Sequence, residues 1–359
     1  MFKTASGGEV SHEKFVPPLL QPKAIVIPQQ KLQDCGNSTE KSTEDPEQSK
    51  KEISPLLVDV NPELGEEILR TIVSGTETSL DDIVGNSIAK DALEWAVVFP
   101  NMNPDIFTGL LQPDRGILLF GPPGNGKTML AKAVASVSKY TFFNISAATI
   151  MSKWVGEAEK MIQALFQMAK NGQPSIIFVD ELDSMLCERN ESEGGCSRRV
   201  KTEFLLQFDG CMSKQTDRIL VLGATNRPHE LDDGILRRFP KRIFIDLPDV
   251  NTREALLQKT FTKGGRSLRL AIEPEEWRSF AESLEGYSHS DIVALCREAA
   301  FLPLRDMSRD RLTSGLKQHE LRPITIADLK TASSVIRPCT NQEHLKRMRE
   351  FAEKFAQTF

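Results

Sequence analysis

Residues 79–250 read as an α/β domain, a parallel sheet between helices, and residues 251–359 as a smaller all-helical lid domain ending in a docking helix. Three observations lead there. Five short apolar runs, 116–120, 141–145, 175–179, 219–222 and 243–245, alternate with helical patterns, the order from which parallel sheets are built. A glycine-rich loop stands between the first run and an amphipathic helix. After Leu247-Pro248-Asp249 the strand signals stop and only helical periodicity remains.

Taken in order, residues 1–54 are rich in Ser, Lys, Glu, Gln and Pro without an apolar period, the composition of a disordered tail. Within 55–78, Leu64, Ile68, Leu69 and Ile72 after Pro62 predict a linker helix stopped by Gly75. Asp81-Asp82-Ile83-Val84-Gly85 then leads into a helix through Ala89, Leu93 and Val97 that Pro100 ends. Between the second and third apolar runs, Met161, Ile162, Leu165, Phe166 and Ala169 form one stripe of a helix over 156–170, a core-facing pattern. Beyond 250, helical patterns recur near 252–262, 274–284, 290–308, 325–336 and 341–356. Thr325 and Asp328 have capping-box spacing, and Ser288 or Ser290 can open the helix carrying Ile292 and Leu295. Leu345, Met348, Phe351 and Phe355 share one face of the last helix, so it should dock on a protein surface.

The chain has 359 residues, 40% apolar and 26% charged, enough for two domains and a sizeable core. Its formal charge of −5 gives no global drive toward nucleic acid or an anionic membrane, and no nucleic-acid partner is expected. Cys35, Cys187, Cys196, Cys211, Cys296 and Cys339 show no metal-type spacing, which suits reduced thiols in the cytoplasm or nucleus. There is no apolar run long enough to cross a membrane and no signal-peptide pattern.

The loop is Gly121-Pro122-Pro123-Gly124-Asn125-Gly126-Lys127-Thr128, a Walker A phosphate-binding loop in its required strand-to-helix context. Glycines let successive N–H groups curl around a phosphate, and the helix that follows adds its unpaired N–H groups and positive end. Lys127 would reach the β- and γ-phosphates of ATP, and the Thr128 hydroxyl would hold Mg²⁺. The run 176–179 delivers Asp180 and Glu181 at its C-terminal end, where open α/β sheets bind ligands: a Walker B motif. Asp180 would orient Mg²⁺ or its water shell, and Glu181 would take a proton from the water attacking the γ-phosphate. After the fourth run, Asn226 can hydrogen-bond both the γ-phosphate and that water. Arg237-Arg238 supply guanidinium forks suited to a transferring phosphoryl group.

This set resembles the AAA ATPases, and within them the microtubule-severing branch that contains katanin, fidgetin and spastin. Lys153-Trp154-Val155-Gly156-Glu157, the stretch 197–205, Phe208-Asp209-Gly210 and the stretch 236–242 are most similar to the spastin group. The resemblance covers roughly residues 60–359. It implies a hexameric ring, assembled with ATP, in which Arg237 and Arg238 act on the neighbour's γ-phosphate. It implies a nucleotide site running from Gly121 through Met129 and including Asp82, Val84, Gly85, His289 and Ser290.

A first pore loop would match Lys153-Trp154-Val155, whose indole grips an extended chain without reading its sequence. A second would fall around 190–199, where Arg198 and Arg199, with Lys201 behind, would either focus a positive field on acidic tubulin tails, partly opposed by Glu191 and Glu193, or serve interprotomer contacts and signalling to the ATP site. Such a protein would sever microtubules in the cytoplasm, at the cytoskeleton, with room for a nuclear pool. Two other activities stay open on the resemblance, disassembly of membrane-remodelling filaments and a nucleotide-controlled microtubule-binding scaffold. The resemblance implies an N-terminal three-helix docking domain, which such proteins usually carry, but the tail 1–54 is too short and polar to be expected to build one. The linker that holds microtubules would be reduced to at most residues 1–60. Two positions depart from the branch: His289 stands where many relatives have glycine beside the adenine, facing either the base or solvent, and Leu80 replaces an aromatic.

Overall fold

The computed structural model describes residues 55–72, 78–153, 157–187, 195–213, 217–262, 269–307 and 321–356. The tail 1–54 therefore lies outside the described residues.

The described chain opens on a 3₁₀ turn, Pro55–Leu57, and helix α1, Pro62–Leu69, capped by the Asn61 side chain. The expected helix ends sooner than Gly75. Ile72 instead bridges Phe143 antiparallel, because Phe143 lies on an edge strand with unpaired backbone groups to offer. Leu64 and Ile68 enter the main core, and Asn171 donates to the Leu56 and Val58 carbonyls at 3.1 and 2.8 Å. The segment is fastened to the α/β domain along its described length.

Helix α2 (Ser87–Leu93) continues through a π-helical turn, Glu94–Val98, into the short α3 (Phe99–Met102). The α/β alternation follows: β1 (Gly116–Phe120), α4 (Lys127–Ser138), β2 (Thr141–Ser146), α5 (Ala147–Lys153), α6 (Ala158–Asn171), β3 (Ser175–Asp180), α7 (Asp183–Leu186), α8 (Gly195–Ser213), β4 (Ile219–Thr225), α9 (Asp233–Arg238) and β5 (Lys241–Phe244). All five strands are parallel, in the order β2-β3-β4-β1-β5. Their near-continuous apolar character has a simple cause: both faces of the sheet are covered. Ile117, Leu119, Ile176, Phe178, Leu220 and Leu222 face α2 and α4, while Leu118, Phe120, Ile177, Val179 and Val221 face α6 and α8.

Among the described residues the remaining helices are α10 (Val250–Thr262), α11 (Pro274–Ser283), α12 (His289–Arg305), α13 (Ile326–Val335) and α14 (Gln342–Phe355). Leu257, Trp277, Phe280, Ile292, Leu295 and Leu329 bring α10 to α13 around a separate core. A two-residue parallel pair, β6 (Leu270–Ala271) with β7 (Ile324–Thr325), ties that core together and is too short to show as periodicity. Ser288 and Thr325 cap α12 and α13 in capping boxes with Asp291 and Asp328. Helix α14 leaves this group and lies on the large domain: Phe351 meets Phe120 edge-on at 5.3 Å, and Arg349 pairs with Asp246 at 3.1 Å.

Candidate nucleotide site

Parallel strands bring their C-terminal ends to one edge of the sheet, and the registers fix which ends are neighbours. Phe120 is level with Thr225, so the loop from Gly121 runs beside Asn226, and Asp180 is level with Ser146. Gly121 cannot be replaced at this crossing, since a Cβ there would stand 2.0 Å from the Ile245 carbonyl oxygen. Gly124 has φ +78°, and its Cβ would stand 2.1 Å from Ser290 Oγ. The Ser290 N–H donates to the Gly124 carbonyl at 3.0 Å, which ties the loop to the start of α12.

Lys127 begins α4 and is buried, its ammonium donating to the Gly121 and Pro122 carbonyls at 2.9 Å each. Burial pushes its pKa down to about 8 against the pull of Asp180 and Asp183. The Thr128 hydroxyl donates to Asp180 at 2.8 Å. Two hard oxygen ligands so joined suit a cation such as Mg²⁺ that takes its other ligands from phosphate and water. Glu181 has φ +52°, in the left-handed region that costs a non-glycine residue energy, and is exposed, with Ser146 Oγ donating to it at 3.3 Å. Thr225 Oγ1 donates to Asp183 at 2.6 Å. Asn226 Oδ1 is buried and has no hydrogen-bond partner among the described residues, an acceptor without a donor beside the phosphate loop.

Across the loop, His289 does not face solvent. Its backbone N–H donates to Asn125 Oδ1 at 3.2 Å, its Nδ1 meets the same oxygen at 3.1 Å, and its Nε2 meets the Val84 carbonyl at 3.2 Å. Asn125 Nδ2 donates to Pro122, which fixes which amide atom faces the ring. Both ring nitrogens thus meet acceptors, and burial holds the pKa below the ordinary histidine range although the Val84 bond favours the proton. Asp82 accepts from the Ser79 N–H, Gly85 lies against Thr252, and Met129 is exposed on α4.

The two arginines of α9 differ. Arg238 is held by Asp209 through two bonds, 2.8 and 2.6 Å, and donates to the Gly234 carbonyl at 2.8 Å. Arg237 is exposed, and its side chain makes no hydrogen bond or ion pair with another described residue. Arg198 and Arg199 are exposed near the start of α8, with Arg199 3.3 Å from Glu159 on α6. Lys153 ends α5; its side chain, Trp154, Val155 and the expected second pore loop over 190–194 lie outside the described residues. Missed from sequence are Ser146, Thr225 and His344, whose Nε2 donates to the Asn226 carbonyl at 3.0 Å. They carry no motif, and only strand register or tertiary packing brings them to the site.

A glycine loop at a strand end, a buried lysine, a Thr–Asp pair and an orphaned asparagine acceptor define a P-loop nucleoside-triphosphate-binding domain. The sequence matches the family described as "ATPase family associated with various cellular activities (AAA)" over residues 117–247. It is 52% identical over 302 residues to a spastin homolog of Caenorhabditis elegans, covering 84% of this chain and 58% of that relative. The crystal structure of the FIGL-1 AAA domain superposes with a TM-score of 0.77 at 40% identity, covering 85% of this chain and 99% of that one. The same domain solved in complex with ADP gives 0.72 at 42%, covering 81% and 97%. A katanin structure gives 0.67 at 34%, covering 82% and 97%. The chain belongs to the AAA ATPase family, in the group that holds spastin. It spans little more than half the length of the first relative named, and no described helix is long and apolar enough to cross a membrane.

Proposed function

We propose that this chain hydrolyses ATP as a hexameric ring and uses the cycle to sever microtubules, drawing acidic tubulin tails into its pore. The observation that carries the reading is the convergence of Lys127, Thr128, Asp180, Glu181 and Asn226 on one sheet edge, in a chain 52% identical to a spastin homolog. Lys127 binds the β- and γ-phosphates; Glu181 takes the proton of the attacking water; the free Oδ1 of Asn226 orients that water. Mg²⁺, held by Thr128 and Asp180, would neutralise charge on the phosphates. Asp82, Val84, Gly85, His289 and Ser290 enclose the base between the two domains.

Arg237, exposed, reaches the neighbouring protomer's γ-phosphate, while Arg238, clamped by Asp209, fixes the helix that presents it. Lys153, Trp154 and Val155, with Arg198 and Arg199, grip the acidic tail. The reaction places the protein on the cytoskeleton. The test is microscopy of fluorescent, stabilised microtubules with purified protein and ATP. Breaks along the filament are expected with the wild type and none with Glu181→Gln. Intact filaments at concentrations where ATP is being hydrolysed would refute the substrate assignment.

A further inference from the structure

Asn226 has a side-chain oxygen left free for chemistry, so something must hold its backbone still. Its neighbour Thr225 is fixed by Asp183, and the Arg227 N–H returns to Thr225 Oγ1 at 2.9 Å. Among the described residues, the hydrogen bond to Asn226 itself comes from His344, 118 positions along the chain: Nε2 to the Asn226 carbonyl, 3.0 Å. A carbonyl cannot donate, so Nε2 carries the proton. The ring is half-buried and stands edge-on to His229, 5.9 Å between centroids, in the 3₁₀ turn that follows Arg227.

Helix α14, which carries His344, is anchored independently of that bond. Phe351 packs on Phe120, the residue before the phosphate loop, and Arg349 pairs with Asp246, just past β5. The helix is therefore a strut across the ends of β4, β1 and β5, and His344 is where it grips the first. The peptide plane between Asn226 and Arg227 is held at both ends, its N–H by Thr225 Oγ1 from within the loop and its carbonyl by His344 from the strut.

Resting on the hydrolysis reading above, we propose that His344 is a positioning residue: through its bond to the Asn226 carbonyl, the C-terminal helix holds the Asn226 side chain in place for the γ-phosphate and the attacking water. Neither the phosphate-loop motif nor the strand motifs assign anything to this histidine.

The test is a double-mutant cycle on the full chain, with steady-state ATP turnover, nucleotide binding and thermal unfolding measured together. His344→Ala should lower kcat about three- to tenfold, the size of one lost hydrogen bond. ATP affinity should stay within about twofold, because no phosphate or base contact is removed. His344→Gln, which keeps a donor, should recover most of the loss and also serves should the alanine variant fold poorly. In an Asn226→Ala background, His344→Ala should add no further loss, because the side chain being positioned is gone. Unchanged kcat in His344→Ala overturns the proposal. So does a loss of equal size in the Asn226→Ala background, which would mark a purely structural anchor. A wild-type chain that does not turn over ATP would overturn the hydrolysis reading itself, an outcome distinct from either.

Discussion

The Lys127 ammonium rests on two backbone carbonyls, and burial outweighs Asp180 and Asp183 in bringing its pKa to about 8. On the proposed role of Lys127, a bound triphosphate would add anionic oxygens beside it and raise that pKa. At about pH 7 the group is charged both free and bound, so binding moves few protons. At about pH 8.5 it is mostly neutral when free and charged when bound, so binding takes up about three-quarters of a proton and weakens as pH rises further. Calorimetry with a non-hydrolysable ATP analogue, in buffers of different ionisation enthalpy, measures the uptake; equal values at the two pH values would refute the assignment. The lysine itself was legible in sequence, because glycines, lysine and threonine must stand in one continuous loop to wrap a phosphate. Its state was not, since burial is a property of the packed loop. The same holds for His289, whose two facing acceptors come from residues 164 and 205 positions away. Arg237 and Arg238 are identical in type and adjacent in sequence; only Asp209, on another helix, makes one a clamp and leaves the other free.

At the scale of elements, the strands were readable because burial on both faces demands uninterrupted apolar runs, and the caps of α12 and α13 because a capping box is local. Helix α14 shows the boundary of that legibility. Its apolar face announced that it would dock, but the partner surface could not be read from the face alone. That surface is the Phe120 and Phe244 side of the sheet. Phe351 is buried between Phe120 and Phe355, and truncation there leaves a cavity at the strut's midpoint. Phe351→Ala should destabilise the domain by about 3–5 kcal/mol in urea unfolding. Arg349→Ala, which breaks a solvent-exposed pair with Asp246, should cost less than about 1 kcal/mol. Similar losses from the two changes would mean that charge and not packing seats the helix.

For the whole molecule, the decisive matter is whether one protomer completes another's site. Arg237 is exposed on α9 without a partner among the described residues of its own chain, while Glu181 stands at the phosphate edge. If the cation acts in trans, each site needs Glu181 from its own protomer and Arg237 from the next. A Glu181→Gln protomer then has a dead site but still lends a good arginine; an Arg237→Ala protomer has a competent site but cannot serve its neighbour. Glu181→Gln should lose turnover by at least about a hundredfold, the low end for a general base, and Arg237→Ala by at least about a thousandfold, the low end for an arginine acting in trans. Mixed in equal amounts, the two should regain measurable turnover, because some junctions set an intact Glu181 site against an intact Arg237. In a protein that hydrolysed within single protomers, mixing could only average two inactive populations. Sedimentation of the mixture with a non-hydrolysable ATP analogue checks that the variants assemble together; co-assembly without recovered turnover would exclude a shared site, and with it the ring as the catalytic unit.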